Sequence, residues 1–223
     1  MKNIRQFFEK FYVLTVFWQK KLLKFGVNSG ILYASSHTLF IFTQGGQKMA
    51  LDRESFLKVL EDSYSAYYNL NPNEGMTELP LVLRADYFSR NEMYFLMKQN
   101  TIWGNETNEY LYLFSAERFD PDTVNKCMDY AIADTLPRVK PHKEHQYTNA
   151  KTVFVADSFD DETIRAIKKR KFTKNYKFSL YGYSALLTAA VDLSREKAFT
   201  NPAGRAQQDF FKKLFSLRKD SPD

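Results

Sequence analysis

The segments LVLRADYF (81–88), NEMYFLMK (91–98) and NEYLYLF (108–114) decide the fold class of this 223-residue chain. In the first segment Leu81, Leu83, Ala85 and Tyr87 alternate with Val82, Arg84, Asp86 and Phe88, which is the two-residue period of a strand. The other two segments are rich in aromatic residues, and Gly104-Asn105 lies in the stretch between them. The three segments together predict a three-stranded antiparallel meander.

Helical patterns flank the meander. Asp52 is expected to cap a helix over 53–69 that ends at turn formers 71–75, and Asp120-Pro121-Asp122 to start a second helix. Ser158-Phe159-Asp160-Asp161 resembles a capping box before a helix at 161–171. Strands are expected at 151–157, 176–183 and 185–193, and an amphipathic helix at about 203–217. The sequence therefore predicts an α+β protein with a central, largely antiparallel sheet flanked by helices.

The formal net charge of +6 lies entirely in the first fifty residues. Residues 1–50 carry seven cations and one anion, whereas residues 51–223 carry 25 of each sign. Three interpretations are open for residues 1–48: a signal peptide, an amphipathic membrane-surface segment, or upstream sequence that is not part of the native protein. We favour the last, because Gly45-Gly46-Gln47-Lys48 is what a purine-rich ribosome-binding sequence before an initiator codon for Met49 would encode. Residues 49–223 are expected to form a single domain.

The composition excludes several classes of protein. With 44% apolar and 16% aromatic residues, the chain can bury enough surface to fold, so intrinsic disorder is excluded. Cys127 is the only cysteine, which excludes a disulfide scaffold. The longest apolar stretches fall short of the roughly 18 residues of a membrane-spanning helix, and the glycine spacing allows no nucleotide-binding loop. We therefore expect a cytoplasmic protein without a cofactor.

Three segments are similar to a small bacterial family of uncharacterised proteins, a domain of unknown function. They are NEYLYLF (108–114), KPHKEH (140–145) and YKFSLYGYSALLTAAVDLSREKAFTN (176–201). The resemblance covers roughly residues 50–215. It implies a shared fold, but no activity, ligand or catalytic residue.

The predicted element order also resembles the restriction-endonuclease-like core. That chemistry needs an acid on the second strand and an acid-x-Lys motif on the third, to hold a divalent metal and orient water. Asp86 and Glu92 are acids in the right neighbourhood, but no Asp or Glu has a lysine two residues on. An active nuclease is therefore not expected, and a degenerate, non-catalytic relative stays open.

A second candidate site is His142, Glu144 and His145, which lie in PHKEH (141–145). An H-x-x-H spacing can direct both rings at one metal, with the carboxylate as a third ligand. Lys140 and Lys143 oppose a divalent ion, and a polar loop has the same composition. A metal-dependent enzyme built on these residues is the weakest of the three function hypotheses.

The neutral domain is strongly polarised along the sequence. Residues 51–134 carry seven cations and fifteen anions, and residues 135–219 carry eighteen cations and eight anions. The cations concentrate in a basic patch interleaved with two rings: Arg165, Lys168, Lys169, Arg170, Lys171, Phe172, Lys174, Tyr176 and Lys177. Such a patch suits phosphate contact with base stacking, and it is also what a solvated helix end looks like.

These observations favour a non-enzymatic binding module that engages a protein partner, or another copy of itself, through its acidic and basic faces. Nucleic-acid binding through the 165–177 patch is the alternative. A pocket that gathered Arg84, Asp86, Glu92 and the meander tyrosines would instead favour an enzyme.

Overall fold

A computed structural model describes residues 52–72, 78–94 and 101–219, and the predictions made for residues 1–48 lie outside these ranges. The described elements, in chain order, are α1 (Arg53–Ser65), β1 (Asn69–Pro72), β2 (Leu81–Tyr94), β3 (Thr101–Ser115), α2 (Pro121–Thr135), a 3₁₀ turn (Leu136–Arg138), β4 (His145–Ala156), α3 (Asp161–Lys169), β5 (Thr173–Asn175), β6 (Tyr183–Asp192), β7 (Lys197–Thr200) and α4 (Arg205–Lys219).

The strands form one mixed sheet in the order β1-β2-β3-β4-β6-β5, with β7 also paired to β6. β1, β2 and β3 are antiparallel neighbours, whereas β3–β4 and β4–β6 are parallel pairs. The α+β class is therefore confirmed, but the sheet is mixed rather than largely antiparallel. The reason is that α2 carries the chain back across the sheet before β4, and α3 followed by β5 carries it back before β6, so that β3, β4 and β6 start at the same edge.

The meander is built from different segments than predicted. β2 runs without a break from Leu81 to Tyr94, and Gly104 and Asn105 lie inside β3, opposite Glu92 and Asn91. The third strand of the meander is β1, where the end of a helix and a turn were expected. The polar stretch after Phe88 suggests that one strand ends and another begins there. In the structure the strand continues, and Arg90 donates to Glu106 on β3 at 3.2 Å. Cross-strand pairing of this kind is invisible to local patterns.

Three helices begin at an aspartate cap. The Ser55 amide donates to Asp52 at 2.9 Å, and the Thr123 amide donates to Asp120 at 2.8 Å, as the sequence predicts. For α3 the cap is Asp160, which accepts from the Thr163 amide at 2.6 Å, so the prediction that placed the box on Ser158 was two residues early. Helix α1 ends at Ser65 and α3 at Lys169, both shorter than expected.

The sheet separates two hydrophobic cores. On one face α1 and α4 pack against the strands through Phe56, Leu60, Phe211 and Phe215. On the other face α2 and α3 pack through residues that include Val124, Met128, Ile164 and Ile167. The connections from β3 to β4 and from β4 to β6 both step to the next strand in the same direction across the sheet. Because such connections share one handedness, their helices α2 and α3 lie on the same face. Cys127 belongs to this second core, and burial raises its thiol pKa to about 12.

Residues 176–183 do not form the predicted strand. β5 ends at Asn175 and β6 begins at Tyr183, so residues 176–182 form the loop of the β5–β6 hairpin. The aromatic content of YKFSLYGY (176–183) favours a strand, but Lys177, Phe178 and Ser179 have φ angles of 45°, 55° and 70°. These left-handed angles turn the chain away from the sheet.

Candidate binding surface and cleft

Exposed charges separate towards opposite edges of the sheet. Helices α2 and α3 start beyond the carboxyl ends of the parallel strands β3 and β4 and end near their amino ends. Exposed acids predominate at the carboxyl edge, which we call the acidic pole: Glu117, Asp120, Asp122, Asp157, Asp160, Asp161 and Glu162. Three exposed cations, Arg118, Arg195 and Lys197, lie at the same edge. Exposed cations lie at the amino edge, the basic pole: Lys140, Lys143, Lys168, Lys169, Lys171, Lys174 and Lys177. Both poles match the dipoles of the two helices.

The predicted basic patch forms much of the basic pole. Arg165 and the five lysines of the patch are exposed, and none of them pairs with a carboxylate within the part of the chain that the structure describes. Arg170 differs, because its guanidinium pairs with Asp129 on α2. The patch therefore presents unneutralised positive charge, except at Arg170, whose ion pair with Asp129 connects the end of α3 to α2.

The two rings of the patch are committed to the fold. Phe172 packs against the core on the α2–α3 face. The Tyr176 hydroxyl bonds Ser184 at 3.0 Å, and its ring meets the His145 ring edge-on with centroids 5.8 Å apart. These contacts fix the positions of both rings in the fold.

The loop at 176–182 instead exposes two apolar side chains that the sequence patterns did not single out. Phe178 is 101% exposed and Leu180 is 75% exposed. The loop lies beside Lys174 and Lys177, so the basic pole carries an apolar tip. Large apolar side chains displayed together on a folded surface commonly mark an interaction site.

Backbone contacts hold this loop in one shape. The Tyr176 amide donates to the Gly182 carbonyl at 3.0 Å, and the Tyr181 amide donates to the Tyr176 carbonyl at 3.1 Å. Gly182 has φ +73°, and a Cβ there would lie 2.4 Å from the Gln146 carbonyl oxygen. The close approach of the loop to β4 therefore requires glycine at this position.

His145 fastens the same loop to the sheet. Its Nδ1 lies 2.7 Å from the Tyr181 carbonyl oxygen, and its Nε2 lies 2.9 Å from the Thr148 hydroxyl. Because a carbonyl only accepts, Nδ1 carries a proton and donates to Tyr181, while Nε2 shares a hydrogen bond with the Thr148 hydroxyl. Both nitrogens of this buried histidine are thereby occupied.

The three residues proposed as metal ligands point to separate partners. His142 Nε2 lies 2.8 Å from Glu106, and Glu144 pairs with Arg90 at 3.0 Å. The two histidine rings are 6.3 Å apart between centroids. Within the described ranges no group of three or more His, Cys, Asp or Glu side chains is arranged to hold a metal ion.

A half-open cleft of about 220 Å³ lies on the α2–α3 face of the sheet, beside the edge strand β1. It is lined by Asn71, Arg84, Ala85, Asp86, Tyr110, Leu111, Tyr112 and Arg138. The cleft thus gathers Arg84, Asp86 and two meander tyrosines, as the sequence suggested a functional pocket would. Glu92 lies further along β2, opposite Gly104.

The charges in the cleft differ in how they are paired. Arg138 is bound to Asp134 at 2.8 Å, and its guanidinium carbon lies 5.0 Å from the Tyr110 ring centroid. Tyr112 also donates to Asp134, at 2.7 Å. Arg84 has no hydrogen-bond or ion-pair partner within the described residues, and its Nε is buried. Among the residues that the structure describes, Asp86 accepts only from the neutral amides of Asn69 and Asn71, at 3.2 and 2.8 Å.

A buried polar cluster lies on the other face of the sheet, next to the α1–α4 core. Lys151 Nζ donates to Glu109 and to the Tyr68 hydroxyl, both at 2.8 Å, and Tyr68 donates in turn to Glu109. Burial, followed by the charge of Glu109, raises the pKa of Tyr68. All three polar heads are satisfied by one another, which is the arrangement expected of a structural cluster.

Fold and site together define a three-layer α+β domain with a polarised surface and a small charged cleft. Residues 52–213 match the family described as Domain of unknown function (DUF8052), and the chain belongs to that family. The match confirms the resemblance expected over roughly residues 50–215. Neither the curated proteins nor the solved structures contain a match to the chain. Among the described residues, no helix has the length and apolar character needed to cross a membrane.

Proposed function

We propose that this protein is a non-enzymatic, cytoplasmic binding module whose basic pole engages an acidic surface of a protein partner. The observation that carries the proposal is the set of exposed, unneutralised lysines beside the apolar tip formed by Phe178 and Leu180. Charge at the rim steers association, and a buried apolar contact at the centre supplies most of the affinity.

The shape of the basic pole favours a protein over a nucleic acid. Phe172 and Tyr176 are held by the core and by Ser184, whereas the exposed Phe178 lies beside Leu180, an aliphatic side chain that cannot stack on a base but suits an apolar depression in a protein surface. Lys174 and Lys177 also lie over the rings of Tyr176 and Tyr181, at 5.6 and 4.4 Å from the centroids. A protein surface that carries acids around an apolar depression would complement this loop, because the loop displays Phe178 and Leu180 beside exposed lysines.

Fluorescence anisotropy with two labelled peptides tests this proposal. One peptide contains only glutamate and glycine, and the other carries the same glutamates with three leucines. We expect the leucine-containing peptide to bind more tightly, with an affinity that falls as salt rises. Replacing Phe178 and Leu180 by Ser should remove the difference between the two peptides, because the apolar contact is lost.

Charge reversal separates this site from non-specific attraction. The variant Lys169→Glu, Lys171→Glu, Lys174→Glu should lose at least tenfold in affinity for both peptides. The matched control Lys58→Glu, Lys126→Glu, Lys212→Glu makes the same charge change on exposed positions of α1, α2 and α4, and should lose much less. Equal losses in both variants would contradict a defined site. Tighter binding of a single-stranded oligonucleotide than of either peptide at equal salt would favour the nucleic-acid alternative.

A further inference from the structure

We propose that the cleft at Arg84 and Asp86 is a binding site for a small zwitterion, a molecule that carries one carboxylate and one amine. The carboxylate binds the Arg84 guanidinium and the amine binds the Asp86 carboxylate. This site is separate from the basic pole, so it does not depend on the function proposed above.

The backbone places these two charges side by side in the cleft. Arg84 and Asp86 are two positions apart on β2, so their side chains lie on the same face of the sheet, about 7 Å apart at Cα. Their partners across the strand pair are Tyr112 and Tyr110, which line the same cleft. The cleft is half-open, so a ligand can reach both side chains without movement of a helix.

Arg84 is an unsatisfied cation. A guanidinium has five N–H donors, and a buried donor without an acceptor is unfavourable because it has lost its hydrogen bonds to water. The Nε of Arg84 is buried and unpartnered, and the side chain forms no ion pair within the described residues. A planar carboxylate accepts two parallel hydrogen bonds from a guanidinium, so it satisfies this group better than water or a single carbonyl does.

Asp86 is the complementary anion, and it is not neutralised by Arg84. Its carboxylate accepts from Asn69 and Asn71, which leaves its charge uncompensated while it fixes the orientation of both oxygens. A carboxylate has about four acceptor sites, and two of them are filled. An ammonium group in the cleft would therefore find an oriented acceptor.

The charge balance selects a zwitterion over a simple anion. Arg138 is already neutralised by Asp134, so the free charges of the cleft are one cation and one anion, which sum to zero. A phosphate dianion would pair with Arg84 but would be repelled by Asp86. A molecule with both charges satisfies both side chains, and Tyr110 and Tyr112 line the same cleft.

A homologous series of ω-amino acids tests the proposal on the unmodified protein. Glycine, β-alanine, 4-aminobutyrate, 5-aminovalerate and 6-aminohexanoate separate amine and carboxylate by increasing distances. Isothermal titration calorimetry should detect binding for at least one member, with an optimum in the series. The N-acetyl and methyl-ester forms of the best member, which each lack one charge, should bind at least tenfold more weakly. If no member of the series gives a heat of binding at ligand concentrations of about 10 mM, the proposal is wrong.

Two conservative variants assign the contacts. Arg84→Gln should abolish binding of the best ω-amino acid, and Asp86→Asn should weaken it at least tenfold while leaving acetate binding unchanged or stronger. Asp62→Asn, on the exposed side of α1, is the matched control and should leave binding unchanged. If inorganic phosphate binds more tightly than every ω-amino acid, the cleft is an anion site and the zwitterion proposal is wrong. Circular dichroism confirms that each variant is folded, and the ester and N-acetyl ligands decide the question if one is not.

Discussion

Lys151 Nζ lies 2.8 Å from Glu109 Oε2 across the parallel strands β3 and β4, and both side chains are less than one-fifth exposed, at 17% and 15%. The Tyr68 hydroxyl bonds both of them. The pair ties the middle of the sheet to the segment that follows α1. Removing one partner of such a pair leaves the other charge buried and alone, which is far more costly than the pair itself is stabilising.

We therefore expect Glu109→Gln or Lys151→Met to lower the free energy of unfolding by about 3–5 kcal/mol. The double variant Glu109→Leu with Lys151→Met should be less destabilised than Lys151→Met alone, because no unpaired charge is left. Urea denaturation followed by circular dichroism measures both. The exposed pair Arg53–Asp157, 3.3 Å apart, is the control, and Asp157→Asn should cost no more than about 1 kcal/mol. Equal effects at the two pairs would contradict the structural role of Glu109 and Lys151.

The same pair predicts how stability depends on pH. Burial alone would raise the pKa of Glu109, but the charge and hydrogen bonds of Lys151 outweigh it, so the folded-state pKa lies below 4.5. Burial alone would lower the pKa of Lys151, but Glu109 outweighs it and the pKa lies above 10.5. The contribution of Glu109 is thus complete above its unfolded pKa and is lost as pH falls through the folded one. That of Lys151 is complete below 10.5 and is lost as pH rises through its folded pKa.

Urea midpoints measured between pH 3 and pH 8 check the acidic limb. The unmodified protein should be most stable from about pH 5 upwards and should weaken steadily below that. Glu109→Gln should show a shallower acidic decline, since it lacks the titrating carboxylate. Parallel pH profiles for the two proteins would show that other carboxylates control the acid limb.

Gly182→Ala should destabilise the loop that presents Phe178. A Cβ at this position would meet the Gln146 carbonyl oxygen at 2.4 Å and would sit on a residue with φ +73°, so we expect a cost of about 1–3 kcal/mol. Ser179→Gly removes a side chain from a residue with φ 70° and should not destabilise the protein. Thermal unfolding compares the two variants. If Gly182→Ala is neutral, the close contact between loop and β4 is not maintained in solution.

Cys127 should be unreactive in the folded protein. The side chain is fully buried, and burial raises the thiol pKa to about 12, so almost no thiolate is present at pH 7. A maleimide dye should label it only on the unfolding timescale, and rapidly in denaturing urea. Fast labelling of the native protein would show that the α2–α3 core opens readily.

Much of the architecture follows from local patterns. The caps at Asp52 and Asp120 and the helix after Pro121 depend on neighbours a few residues away, and they were predicted correctly. β1 and the unbroken β2 were missed, because their evidence is the pairing of Asn69–Pro72 with Leu83–Asp86 and of Arg90 with Glu106. The 176–182 loop was mistaken for a strand, since aromatic residues favour strands while left-handed backbone angles leave no mark on composition.

The residues of the candidate sites divide in the same way. The basic patch is a run of nearby cations, so the sequence reveals it, although it does not show that Phe172 and Tyr176 are occupied. The H-x-x-H spacing of His142 and His145 suggests a metal site, but both ring nitrogens of His145 are hydrogen-bonded, to Tyr181 and to Thr148. The cleft joins residues from β1, β2, β3 and the turn at Arg138. The sequence groups Arg84 and Asp86 with the meander tyrosines and with Glu92, but it does not reveal Asn71 or Arg138, which come from distant parts of the chain.

Local chemistry in the chain determined the α+β class, the positions of the four described helices and the concentration of cations at 165–177, because periodicity, capping and charge act between near neighbours. The tertiary structure alone decided that the sheet is mixed and that acids and cations concentrate at opposite edges. It also decided that, among the described residues, Arg84 lacks a partner and Asp86 accepts only from neutral amides. These properties depend on strands brought together from distant parts of the chain. Their pairing, and the burial that accompanies it, exists only once the chain has folded.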